Sequence, residues 1–227
     1  MTGTVELIIL GYTKFSENSV VLHTLSAEYG RRGFMARVGK SSPMALFLPL
    51  NILEAQIVEN PRSELWRAHG FTAMDSLEGI RSDMRKNAMS LFMSEVLYRT
   101  VKDGTADASL YRWCLENILT LNGMSTDFSN FHIRFLLELA EQLGFRPGLD
   151  GMAPFADEYL ADIGKFLRSD FPSSMLIPLT GSRRTEICSR IIKYLEYHTE
   201  SSINIRSLAV LGEIFAGEGP RTTTTTK

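Results

Sequence analysis

Residues able to do chemistry are plentiful in this chain, but their spacing fits no catalytic constellation. The four histidines, His23, His69, His132 and His198, are scattered, and His132 sits among Phe131, Ile133 and Phe135 as a core or interface histidine does. Cys114 and Cys188 lie far apart, each inside a helical pattern, so they form neither a CxxC metal clip nor a disulfide framework. There is no phosphate-binding P-loop, no GxGxxG after a strand, no HExxH and no GxSxG. The acidic residues are spaced as on solvated helix faces. No catalytic residue, metal or other cofactor is expected.

Cations placed beside aromatic rings are the one pattern with chemical content. Arg31, Arg32, Arg37 and Lys40 fall within ten residues that hold no acid, next to Tyr29 and Phe34. Lys14 and Tyr12 precede them on a neighbouring apolar run. Further on, Arg81, Arg85 and Lys86 share roughly one helical face. A single strand of nucleic acid needs cations for its phosphates and flat apolar surfaces for its bases, and such a set supplies both. The plainer alternatives are a solvated strand edge for the arginines, a solvated helix face for Arg81, Arg85 and Lys86, and an inward core position for Phe34. Tyr12 and Tyr29 are the better candidates for exposed platforms.

These residues need strands to position them. Val5 to Phe15, Ser19 to Ser26 and Arg31 to Val38 are rich in β-branched and aromatic residues, and turn chemistry at Ser16, Glu17, Asn18 and Gly30 separates them. In the third run Phe34, Ala36 and Val38 alternate with Gly33, Met35 and Arg37. A bent fourth strand runs from about Leu46 to Glu59, with Pro49 read as a bulge or edge, and Ser63 to Phe71 returns as a fifth. Five short strands in so little chain predict a five-stranded OB-type barrel over residues 1–75.

From about Asp75 the hydrophobic period changes from 2 to 3.6, which predicts an α-helical domain over residues 76–216 and an α+β chain overall. Met84, Ala88, Phe92 and Val96 form one row of a helix from Ile80 to Val101, and Asp107 caps a second with Leu110, Cys114, Ile118 and Leu121 inward. A third starts at Ser125, Thr126 or Asp127 and stops at Gly144. Residues 146–154, rich in Gly and Pro, read as a loop. Helices follow over about 155–168, 182–198 with Ile187, Ile191 and Leu195 in a row, and 208–215. The tail, 217–227, has nothing to bury and is expected to be disordered.

Composition bounds the function further. With 44% apolar and 22% charged residues the chain is an ordinary globular one. A net charge of −2 does not by itself announce a nucleic-acid binder. No run reaches the roughly 20 apolar residues of a membrane span, MTGTVEL does not read as a signal peptide, and a reducing cytoplasmic setting is expected.

Several segments carry a family likeness. GYTKFSENSVVLHTLSAEYGRRGFMARVGK, ALFLPLNILEAQIV, IRSDMRKNAMSLFMSEVLYRTV, FHIRFLLELAEQLGFRPG and IIKYLEYHTESSINIRSLAVLGEIF follow one another in the order and spacing of the RecO family of recombinational-repair mediators. The chain resembles the form found in Bacteroides-like bacteria over nearly its whole length up to about Phe215. The resemblance implies an N-terminal OB barrel and a helical domain, binding to single- and double-stranded DNA, and annealing of complementary strands. It implies work with RecR in loading RecA onto strands coated with single-stranded-DNA-binding protein, contact with that protein's C-terminal tail, and association with the nucleoid. A basic and apolar groove in the helical domain, with Arg112 and Arg134 nearby, would receive the tail.

Two departures stand out. Some family members carry a zinc site of paired cysteines after the LGFxP segment, whereas this chain reads RPGLDGMAPFADEY there, so no zinc is expected. The Lys/Arg run common after the third strand is reduced to Lys40 followed by Ser-Ser-Pro. DNA affinity that is modest and strongly salt-dependent, or that depends on RecR supplying part of the surface, is expected. The alternative is a protein-interaction adaptor whose barrel has little DNA affinity of its own.

Overall fold

Alternation of apolar and polar residues produces five strands. In the computed structural model, which describes residues 2–39, 44–60, 62–63 and 65–217, they are β1 (Thr2–Ser16), β2 (Ser19–Ser26), β3 (Gly30–Arg37), β4 (Ile52–Val58) and β5 (Trp66–Ala73). They close a barrel in the order β1-β2-β3-β5-β4. All pairings are antiparallel except β3 with β5, which run parallel through Phe34↔Trp66, Met35↔Arg67 and Ala36↔Ala68. The inward faces build the core. Val5, Leu7, Phe34, Ala55, Ile57 and Ala68 form one cluster, and Ile9, Val20, Leu22, Ala36, Phe47 and Leu53 the next. Phe34 is fully buried, the core position its alternation suggested.

Pro49 is not a bulge within β4. It follows a 3-10 turn at Met44–Phe47, and β4 begins at Ile52. A proline lacks the amide that a ladder needs, so the chain turns there instead of pairing. Lys40 and residues 218–227 of the expected tail lie outside the described residues.

The helices are α1 (Glu78–Arg81), α2 (Met84–Thr100), α3 (Ala108–Gly123), α4 (Phe131–Gln142), α5 (Leu149–Ala156), α6 (Leu160–Arg168), α7 (Phe171–Met175), α8 (Gly181–Thr199) and α9 (Ser207–Phe215). Asp107 accepts a hydrogen bond from the Leu110 amide at the start of α3, as expected of a cap. The row Leu110, Cys114, Ile118 and Leu121 is buried, as is Ile187, Ile191 and Leu195 on α8. Met84, expected inward on the first long helix, is instead 71% exposed at the first position of α2.

The predicted loop over 146–154 is also corrected. Leu149–Ala156 is helical with Pro154 inside it, because burying Met152 and Ala156 outweighs the local cost of the proline. No described helix is long and apolar enough to cross a membrane.

The compact units cut across the boundary expected near residue 75. One comprises residues 1–82 and 93–122, the other 83–92 and 123–227. In the first, Tyr111 on α3 donates to the Glu6 carboxylate, the ring of Tyr98 on α2 lies 4.6 Å from that of His23, and the Gly104 amide donates to the Arg31 carbonyl. The barrel unit thus includes the later part of α2 and all but the last residue of α3.

In the second unit His132 is fully enclosed, 6.1 Å from Phe92 and 5.8 Å from Phe215 between ring centres. Burial, and secondarily the Arg184 charge, pushes its pKa down to about 3. The unfolded chain therefore binds a proton near pH 6.5 that the folded chain refuses. Stability is complete above that pH and falls as pH drops toward 3. Between pH 7 and pH 5 the loss amounts to about 2 kcal/mol. Urea midpoints measured at the two pH values check this, and His132→Phe is expected to remove most of the difference.

Candidate nucleic-acid interface

A groove of about 850 Å³ opens where β3 meets β5, lined by residues from both faces of the sheet. Strand geometry assembles it. Met35 and Arg37 are two apart on β3 and share a face, Arg67 is in register with Met35, and His69 follows two residues later on the same face of β5. Met35 is half-buried, whereas Arg37, Arg67 and His69 are exposed.

Beyond His69 the ladder to β4 breaks. Glu54 pairs with Thr72 and Gln56 with His69, so one residue of β4 faces two of β5. Gly70 takes a left-handed φ of 66° at this bulge, a conformation glycine adopts without strain. The bulge turns Phe71 away from the face of Arg67 and His69 and onto the core clusters, where its ring meets Phe47 edge-on at 5.1 Å and still lines the groove.

Leu46, Leu65, Ser19, Asn60 and Ser63 complete the lining. The Asn60 side-chain oxygen accepts from the Arg62 amide and its carbonyl from the Ser63 amide, which shapes the β4–β5 loop along the rim. The result is a cleft with an aromatic floor, polar edges and two arginines on its outer face.

Of the residues expected from sequence to meet nucleic acid, Arg37 is in this groove. Lys14 and Tyr12 lie on the part of β1 beyond its pairing with β4, which ends at Ile8; both are exposed, Tyr12 by 48%. Ser16 pairs with Ser19 and Ser19 with Arg37, so this exposed lip continues from the groove's Arg37 end.

The other candidates have structural employment. Arg31 donates through Nε to the Val101 carbonyl at 2.7 Å, pairs with Asp103 at 3.1 Å and lies over the Tyr98 ring at 5.0 Å. It fastens β3 to the α2–α3 connection and is only partly exposed. Arg32 sits 3.7 Å over the Trp66 ring. Tyr29 is not an exposed platform. Half-buried, it packs edge-on against Trp66 at 5.2 Å and donates to Glu59, and burial raises its pKa.

The cationic face expected on the first long helix does not form either. Arg81 is on α1, where its guanidinium donates to the Pro49 carbonyl and to Asn51, both at 2.6 Å, and burial lowers its pKa. Arg85 is bound to Asp83 at 3.1 Å and covers Phe128. Lys86 is buried, donates to the Met124 carbonyl, and its pKa is lowered chiefly by burial. In the second unit, Arg134 is held by Glu138 and by the Phe166 and Ser169 carbonyls.

Sequence reasoning missed Arg67, His69, Phe71 and Asn60. Arg67 and His69 are two apart on a predicted strand, and that spacing alone could have placed them on one face. The β3–β5 register that sets Arg67 beside Met35 has no local signal. Among the described residues no cluster of three or more His, Cys, Asp and Glu could hold a metal.

A closed five-stranded barrel of OB type joined to a helical region defines the class of this protein. Residues 1–76 match the family model for the recombination protein O N terminus, and residues 81–154 the one for its C terminus. The chain belongs to the RecO family of DNA repair proteins.

It is similar to the DNA repair protein RecO of Bacteroides fragilis, with 28% identity over 240 residues, 92% of this chain and 97% of that one. The proteins of the same name from Porphyromonas gingivalis and Flavobacterium psychrophilum are 25% and 24% identical at the same coverage of both chains.

Proposed function

We propose that the β3–β5 groove holds a DNA strand, with Arg37 and Arg67 on its phosphates and Lys14 and Tyr12 extending the contact along β1. In this reading the protein binds and anneals single strands and, with RecR, helps RecA load onto strands coated by single-stranded-DNA-binding protein. Contact with that protein's C-terminal tail belongs to the same reading. The observation that carries it is the exposure of two arginines on one face of the barrel beside an apolar cleft. A polyanion is held by neutralising phosphates, and such contacts position a strand without reading its sequence.

The test is a double variant, Arg37→Ala with Arg67→Ala, assayed on a fluorescent single-stranded oligonucleotide over a range of salt. Affinity at low salt is expected to fall about tenfold, and the slope of log affinity against log salt to shrink by about 1.4, roughly 0.7 for each lost phosphate contact. Arg31→Ala serves as contrast: it is expected to lower the urea midpoint while leaving the salt slope unchanged. A double variant with the parent's slope would place the strand elsewhere.

The engagement of Arg31, Arg81 and Lys86 inside the protein favours a second reading, an adaptor with little DNA affinity. Failure of the unpartnered parent chain to bind single strands at low salt would select it.

A further inference from the structure

We propose that the groove is a pocket for unpaired bases, so that the barrel distinguishes single strands from duplex by inserting a base and not by charge alone. This rests on the reading that the groove holds DNA. A track that only neutralised phosphate would need cations on an open surface. Here the arginines stand beside a cavity whose volume, about 850 Å³, falls in the roughly 300–1,000 Å³ range of small-molecule sites.

The lining suits a flat heterocycle. Phe71, half-buried, supplies aromatic surface and is backed by the buried Phe47, while Met35, Leu46 and Leu65 close the walls. Asn60, Ser63 and His69 put hydrogen-bonding groups at the edge, where the rim of a base carries its donors and acceptors. The aromatic floor is braced from behind, because Phe47 and Phe71 both pack on the inner cluster of Ile9, Val20, Leu22, Ala36 and Leu53. Little side-chain freedom remains to be lost when a base arrives. A paired base presents no free face, so duplex could use the arginines but not the cavity.

The experiment compares a single-stranded thymidine oligonucleotide with an abasic sugar-phosphate strand of equal length, using the full chain. The parent is expected to bind the base-bearing strand roughly tenfold tighter, the size of one base–ring stack. Phe71→Leu, which keeps the floor apolar, and His69→Ala, at an exposed position, are expected to bring the ratio toward one with the salt slope unchanged. The Arg37→Ala, Arg67→Ala variant is expected to weaken both strands alike and preserve the ratio. Equal binding of the two strands by the parent, with a normal salt slope, would overturn the pocket and leave the phosphate track standing. Binding of neither strand would overturn both.

Discussion

A chain ended after Ser82 is expected to lose cooperative unfolding of the barrel, although all five strands precede that point. The inner faces of β1 and β2 are filled by Val5, Leu7, Ile9, Val20 and Leu22, yet the opposite faces are also closed. Ile8, Leu10 and Leu25 are at most 5% exposed. Glu6 shares its face with Ile8 and Leu10, and His23 shares its face with Leu25. Those polar neighbours are met by Tyr111 and Tyr98. The later part of α2 and α3 therefore roof this side of the barrel.

Gly30 shows how close the roof comes. A Cβ built there would stand 1.9 Å from the Thr105 carbonyl oxygen. Removing the roof would wet three large apolar side chains at about 1.5–3 kcal/mol each, and would strip Arg31 of Val101 and Asp103. Domains are stable by only about 5–15 kcal/mol in total. Circular dichroism melts of chains ending at residue 82 and at residue 123 check this. The longer chain is expected to keep a sharp transition, and a sharp transition at the parent's temperature in the shorter one would refute the roof's role.

Asn130→Ala is expected to be the most damaging single change in the second unit, costing about 3–5 kcal/mol. The Asn130 amide nitrogen faces the carbonyls of Ser174, Met175 and Ile177 at 2.8 to 3.3 Å, at the end of α7, and its oxygen accepts from Arg184 Nε at 2.8 Å. Asn130 and Arg184 are both buried. Truncation would leave helix-end carbonyls and a guanidinium group without this bridge, where water has little access to replace it. Asn130→Asp keeps an acceptor for Arg184 but sets an oxygen against three carbonyls, so it too is expected to destabilise. A shift in urea midpoint equivalent to less than about 1 kcal/mol, no more than an ordinary hydrogen bond, would refute the bridge.

The barrel was legible in the sequence because its signals are local. Turn residues at 16–18 and a glycine at position 30 bracket β2 so tightly that its predicted limits, Ser19 and Ser26, are the observed ones. The alternation through Phe34, Ala36 and Arg37 correctly assigned each to its face.

What alternation cannot supply is the identity of whatever lies over a face. Arg31 and Arg37 have the same parity on β3. One lies beneath the α2–α3 connection and the other is open, and only the long-range fold separates them. Lys86 shows the same blindness, since a lysine in a helical pattern reads as solvated unless a buried carbonyl such as that of Met124 is known to await it. The groove was invisible for a related reason. Its two walls are joined by pairs such as Met35↔Arg67, far apart in the chain, and the parallel register joining them has no turn to announce it.

That parallel register has a kinetic consequence. β2 and β3 are held by a ladder running from Ser19↔Arg37 to Ser26↔Gly30, whereas β3 and β5 share three residue pairs. The β2–β3 hairpin closes a short loop and the β3–β5 seam a long one, so the seam is the entropically later event in folding. By the same reasoning it is the first part of the cylinder to unzip in native-state fluctuations, and the amides along it should trade their hydrogens for deuterium sooner than those of the hairpin beside it.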